Sequence, residues 1–271
     1  MAQIAGLAPD VLLLTSFDHD HDLVALRALG KALAGAGHPF PHLYAALPNS
    51  GMATGLDLDG DGRLGGPRDA QGYGGFAGAG GLALLSRLEL REVQDFSALL
   101  WRDLPDTAMR PDDPGADVQR LSSTGHWLIT LNTDTGPLRL GAFAATPPVF
   151  DGPEDRNGRR NRDEVLFWRH LLDGAFQTPA PTDRFVLMGN ANLDPDTGDG
   201  RREAIARLLN HPRIADPLPG LPTVAWEGPG EMRVSYVLPT RDLTVLDGGV
   251  LPAAEGMGPH RMVWVDVDLR P

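Results

Sequence analysis

Three aspartates alternate in the stretch "GLDLDGDGRLGG", at Asp57, Asp59 and Asp61. With Gly62 and Leu64 behind them they have the spacing of a calcium loop. There the first, third and fifth residues supply hard oxygens, the sixth turns the chain and the eighth is apolar. The twelfth position, which in such a loop is a bidentate Glu, is Arg68, and Asp69 comes one residue late. The same residues also describe an acidic, glycine-rich surface turn. Ca²⁺ is the ion this spacing suits.

A second stretch, "LMGNANLDP" (187–195), ends an apolar run in a turn crowded with Asn190, Asn192 and Asp194. A strand end of this kind is a catalytic platform, yet the amide of Asn190 cannot accept a proton near neutral pH. In "SFDHDHD" (16–22), Asp18, Asp20 and Asp22 alternate with His19 and His21. A metal site fits that pattern; so does a solvated strand end in which Asp20 or Asp22 caps the next helix. "PEDRNGRRNRDE" (153–164) brings Arg156 and Arg159 among carboxylates. Guanidinium forks suit phosphate oxygens, and they suit neighbouring carboxylates equally well, giving a salt-bridged loop. His260 stands alone before the apolar run "RMVWVDVD".

The elements that must position these groups are short. Apolar runs bounded by turn residues predict strands at 11, 82, 126, 138, 185, 234, 243 and 262. Helical periodicity predicts three helices. In 22–37, Leu23, Leu26, Leu29 and Leu33 share a face and glycines follow; the second is 161–174, with Asn161 and Glu164 in capping-box position; the third is 202–210. Such a set implies an α/β fold of two packed sheets flanked by helices, in which residues 1–271 read as one domain.

Composition narrows the function. A net charge of −12 argues against non-specific binding of nucleic acid or anionic membrane and suits cations. The chain has no cysteine, which removes disulfides and thiolate chemistry. No apolar run approaches the roughly 18–20 residues of a membrane-spanning helix. The start "MAQIAGLAPDVLLLTSFD" lacks the basic n-region and cleavage site of a signal peptide, so a cytoplasmic location is expected; a start lying further upstream would allow export.

In order along the chain, "PDVLLLTSFDHD", "GLALLSRLEL", "TPPVFDGPEDRNGRRN", "LMGNANLDP", "RVSYVLP" and "GPHRMVWVDVDL" resemble the motifs of the endonuclease/exonuclease/phosphatase superfamily. The third is similar to a loop of a bacterial subgroup. The resemblance implies a four-layer α/β sandwich of two mixed β-sheets flanked by helices. It also implies an Mg²⁺- or Mn²⁺-dependent site acting on phosphate esters, in which metal and an activated water act together. By the same resemblance Asn190 stands where the family has its base, and Asn192 and His260 match the residues that steady the phosphoryl group. Ser16 stands at the metal-holding Glu, Ala144 at the first His, Ser235 at the Asp before Tyr236, and Pro259 at the Asp before His260. The family's first strand has no counterpart ahead of Val11. Activity is therefore expected to be impaired or lost, with Asp18 or Asp194 as stand-in ligands. The alternatives are a non-catalytic module holding a phosphorylated ligand or a protein partner, and a calcium-stabilised structural domain.

Overall fold

The computed structural model describes every residue except Glu255, Met257 and Pro271. From the N-terminus run α1 (Ala2–Leu7), β1 (Val11–Phe17), α2 (Val24–Gly35), β2 (His42–Tyr44), β3 (Gly81–Ser86) and β4 (Leu90–Asp95). The middle of the chain forms β5 (Gly125–Thr133), β6 (Gly136–Ala144), α3 (Arg156–Leu172), β7 (Phe185–Asn190) and α4 (Glu203–Leu209). Then follow β8 (Val224–Trp226), β9 (Gly230–Met232), β10 (Ser235–Pro239), β11 (Thr244–Val250) and β12 (Val263–Asp268).

Two sheets carry the core. One has the order β1-β3-β2, the other β10-β7-β6-β5-β4, and β8-β9 and β11-β12 are separate hairpins. In the larger sheet β6 and β7 are parallel and the other pairings antiparallel, so the sheet is mixed. Alternation along each strand sends side chains to opposite faces. Leu82 and Leu84 of β3 therefore meet Trp127, Ile129, Leu140 and Ala142 between the sheets. The outer face of the larger sheet places Leu128, Phe143 and Leu187 against Val165, Phe167 and Trp168 of α3 and Ile205 of α4. On the far side Leu26 and Leu33 of α2 pack with Leu12, Ala83 and Leu85. The layers run α2, sheet, sheet, α3 with α4, the four-layer α/β sandwich that the sequence implied, except that only the larger sheet is mixed and the smaller is antiparallel throughout.

All eight expected strands form, together with the short β2, β4, β8 and β9 that no apolar run announced. The second helix departs from expectation. It begins at Arg156 rather than Asn161, and its N-cap, Asp155, makes no side-chain cap. Asn161 and Glu164 form no capping box, because both lie inside the helix and are wholly buried. The arginine-rich stretch read as a loop is thus largely helix. The first expected helix, α2, keeps its apolar face, and Asp20 accepts Val24 N–H at 2.6 Å and Ala25 N–H at 3.0 Å at its start, whereas α1 was not expected.

Candidate functional site

Because β6 and β7 are parallel neighbours, their C-terminal ends meet at one rim, where open α/β sheets bind ligands. Ala144 pairs with Asn190, Asn190 with Ser235, and Gly125 with Ala144. The turn after β7 is forced close to β6: a Cβ on Gly189 would stand 2.1 Å from the Phe143 carbonyl oxygen, so only glycine fits.

Beyond that glycine the two asparagines bind one another. Asn190 Nδ2 donates to Asn192 Oδ1 at 3.1 Å, and Asn192 N–H donates to Asn190 Oδ1 at 3.0 Å. Asn192 Nδ2 donates to the Ala145 carbonyl at 2.8 Å, joining the turn after β7 to the one after β6. Asn192 has φ +50°, a left-handed conformation that Asn tolerates better than most residues. The Tyr236 hydroxyl, buried, braces the turn from below at 2.7 Å from the Leu193 carbonyl. Asp194 is also spent on the turn, accepting Asp196, Thr197 and Arg233 N–H groups.

Buried polar residues of α3 fix both turns from behind, and none was legible as a site residue. Asn161 Nδ2 donates to Thr146 O at 2.6 Å and to Ala191 O at 2.8 Å. Glu164 accepts Ser123 N–H (2.6 Å), Ser123 Oγ–H (2.7 Å) and Thr146 N–H (2.7 Å). Burial pushes its carboxyl up, opposed by Arg160 and by these donors. His126 bridges Ser122 Oγ and the Glu164 carbonyl, and burial holds its imidazole down to about 4.

The smaller sheet contributes the opposite lip. Phe17 pairs with Gly81 across a bulge at Ser16, which has φ +63° and is exposed. Asp18 Oδ1 accepts Gly80 N–H at 2.8 Å. His260 reaches the rim through a bridge to Val224, next to Thr223, whose Oγ1 accepts Ser235 N–H. Its ring is exposed on one side and edge-on to Trp226 at 5.6 Å, and desolvation holds its pKa below the ordinary value. Among the described residues no side chain hydrogen-bonds that ring. An open, largely apolar cleft of about 540 Å³ lies beside it, lined by Leu221, Pro222, Ala225, Val250, Pro259 and Arg261 among others.

Arg156 and Arg159 lie at the start of α3 and are engaged within the protein. Arg159, 2% exposed, holds Asp113 bidentately at 2.6 and 2.8 Å and donates to the Ala108 carbonyl. Arg156 donates to Pro114 O and to Gln119. Arg159 is thus salt-bridged to Asp113, outside the stretch, whereas both oxygens that Arg156 meets are neutral.

Asp57, Asp59 and Asp61 do converge: one carboxylate oxygen of each lies within 4.8 Å of the others. Asp57 accepts Gly60 and Gly62 N–H, while Asp69 turns inward to accept Leu58 and Gly66 N–H. Such a cluster of hard oxygens fits a divalent cation. The rim does not. Among the described residues no three His, Asp or Glu side chains gather there, Ser16 offers a poor ligand to Mg²⁺ or Mn²⁺, and Asp194 is already satisfied. No helix of the described residues is long and apolar enough to cross a membrane.

Known proteins with similar structures share this architecture. An endonuclease/exonuclease/phosphatase protein from Beutenbergia cavernae superposes with a TM-score of 0.63 at 18% identity; the match covers 99% of this chain and 65% of that one. This chain therefore spans about two thirds of that relative's length. A family protein from Leptotrichia buccalis matches at TM-score 0.57 and 15% identity, over 98% of this chain and 90% of that one. The 3′-phosphatase NExo from Neisseria, bound to a product DNA hairpin, matches at 0.55 and 16%, over 98% and 93%. At such identities the likeness is one of fold. No curated protein gives a significant match. The endonuclease/exonuclease/phosphatase family model matches residues 1–265, so the chain belongs to that family.

Proposed function

We propose that the rim formed by the ends of β6 and β7 binds a phosphate ester and that hydrolysis there is impaired or lost. The observation that carries this reading is the Asn190–Asn192 pair. Each carboxamide has two N–H groups, and in the described hydrogen bonds each uses one: Asn190 on Asn192, Asn192 on Ala145. The pair thus retains N–H donors for phosphoryl oxygens and has no group that takes a proton from water. A positioned base is worth about 10²–10⁴-fold in rate, so its absence removes much of the acceleration. His260, held neutral near pH 7, is a further donor or acceptor for the ester. The acidic surface disfavours long polyanions, which separates this reading from the DNA-bound Neisseria relative.

The test is hydrolysis of bis(p-nitrophenyl) phosphate with Mg²⁺, Mn²⁺ or Ca²⁺, each against EDTA, with Asn192→Ala/His260→Ala protein as the blank. Folded wild-type protein should give the blank's rate while binding the ester saturably. Metal-dependent turnover above the blank would show that the chemistry survives on other residues. A second reading concerns the loop at 57–61, where the convergence of Asp57, Asp59 and Asp61 supports a Ca²⁺ site that stabilises the fold without taking part at the rim.

A further inference from the structure

The smaller sheet has three strands against five in the larger, and β1 lies at its edge. Arg87 N–H donates to the Asp10 carbonyl, which fixes the phase of the β1–β3 ladder. In an antiparallel ladder every second pair bonds directly, so Leu12 and Leu14 turn their N–H and C=O groups to β3. Those of Val11, Leu13 and Thr15 turn the other way, where β1 has no neighbouring strand. Among the described residues these groups have no hydrogen-bond partner. β12 repeats the arrangement. Leu251 N–H donates to the Met262 carbonyl, so Trp264 bonds to Gly249 while the backbone groups of Val263 and Val265 face away from β11.

The two free edges border the same strip of the larger sheet. β1 lies over β6 and β7, and β12 lies along β10, with Leu269 at its end reaching the core between the sheets. Beneath them Ala142, Met188 and Val237 form one row across β6, β7 and β10. Ala142 is wholly buried, whereas Met188 and Val237 are only half-buried. The cover over the larger sheet thus thins between β1 and β12. Neither edge is guarded there. Folded proteins protect free edges with charges, proline or bulges. Val11–Phe17 holds no charged residue and no proline, its bulge lies at the rim end, and β12 opens with Val-Trp-Val.

We propose that β1 and β12 together receive one extended segment of a partner polypeptide, which pairs with both edges and lays alternate apolar side chains on Met188 and Val237. Donors and acceptors recurring at every second residue on both borders match the repeat of a peptide backbone in β conformation. An edge of a second folded copy does not meet that requirement, because a strand already bonded on one side has a single edge to give. The apolar borders favour uncharged side chains in the segment, since a charge buried there would have no partner.

The experiment adds the peptide KVTVTVTVK to the full chain and follows melting temperature and sedimentation. Successive N–H groups of a strand point to opposite edges, so N-methylation of the valines blocks one edge and of the threonines the other. The unmodified peptide at saturation should raise the melting temperature by about 3 °C or more and leave the protein monomeric. Either methylated peptide, with its charge unchanged, should lose most of that shift. The Val11, Leu13 and Val265 amides should exchange freely with solvent in the protein alone and become protected with the peptide. No shift with the unmodified peptide overturns the proposal. A shift kept by one methylated peptide shows pairing at a single edge, and a shift kept by both shows attraction to the lysines; each overturns it. A dimer that the peptide does not dissociate assigns these edges to a second copy and overturns it as well.

Discussion

Asn192 Nδ2 donates to the Ala145 carbonyl at 2.8 Å, so the turns leaving two adjacent parallel strands are tied by the side chain that would also face a phosphate. The same residue accepts from Asn190. A carboxylate at 190 could not make that second bond, since it has no N–H to give. The rim is built around the amide, and its neighbours are adapted to it.

Replacing Asn190 by Asp should therefore cost about 1 kcal/mol of stability, the worth of one hydrogen bond. By itself it should leave bis(p-nitrophenyl) phosphate hydrolysis at the blank, because Ser16 still offers the metal no carboxylate. The pair Ser16→Glu/Asn190→Asp should raise the metal-dependent rate by roughly 10²-fold or more. Comparable rates for the single and double variants would show that Ser16 is not the missing ligand.

Asn161→Ala leaves the carbonyl of Ala191 buried, and that of Thr146 half-buried, without their donor. Orphaned polar groups cost about 1–3 kcal/mol each, so a loss of roughly 3 kcal/mol in urea unfolding is expected. A loss under about 0.5 kcal/mol, the usual effect of a surface change, would mean that other donors replace it.

His126 gives the fold an acid dependence. Its folded pKa of about 4 lies below the ordinary 6.5, so below pH 6.5 the unfolded chain binds the proton more readily. The stability from keeping the ring neutral is complete above pH 6.5 and lost as pH falls toward 4, on the order of 3 kcal/mol over that window. His126→Gln should flatten the urea midpoint against pH between these values. An imidazole titrating near 6.5 by NMR would contradict the burial argument.

Calcium should raise the melting temperature through the 57–61 loop. At a free concentration 100 times Kd, the linkage amounts to about 2.7 kcal/mol. Asp57→Asn/Asp59→Asn/Asp61→Asn protein should show no calcium response. A response that survives those changes places the ion elsewhere.

Gly72→Ala should cost about 1–3 kcal/mol or more, because the added methyl meets the rigid backbone of Ser123 at 1.8 Å. Gly60→Ala, with φ +75° and open space around it, should cost only about 1–2 kcal/mol of left-handed strain. A cost for Gly72→Ala clearly above that of Gly60→Ala shows that Gly72 is seated on the backbone of Ser123.

Local sequence determined the strands, because apolar runs this short, bounded by turn residues, suit a buried strand and are too short for a buried helix; "LALLS" and "FVLMG" became β3 and β7. It determined the capping role of Asp20 and the convergence of Asp57, Asp59 and Asp61, both of which act within a few residues. The stretch 156–164 shows where that reach ends. Its charges read as a salt-bridged loop or as phosphate contacts, yet Arg159, Arg160, Asp163 and Glu164 are buried in α3. Their partners lie at Asp113, Leu121, Trp101 and Ser123, about 40 or more residues away. Only the tertiary fold brings those partners close enough to offset the cost of burying charge. The rim follows the same division: the residue types of Asn190, Asn192 and His260 were written in the sequence, whereas their support by Asn161 and Glu164 arose from packing a helix behind two parallel strands.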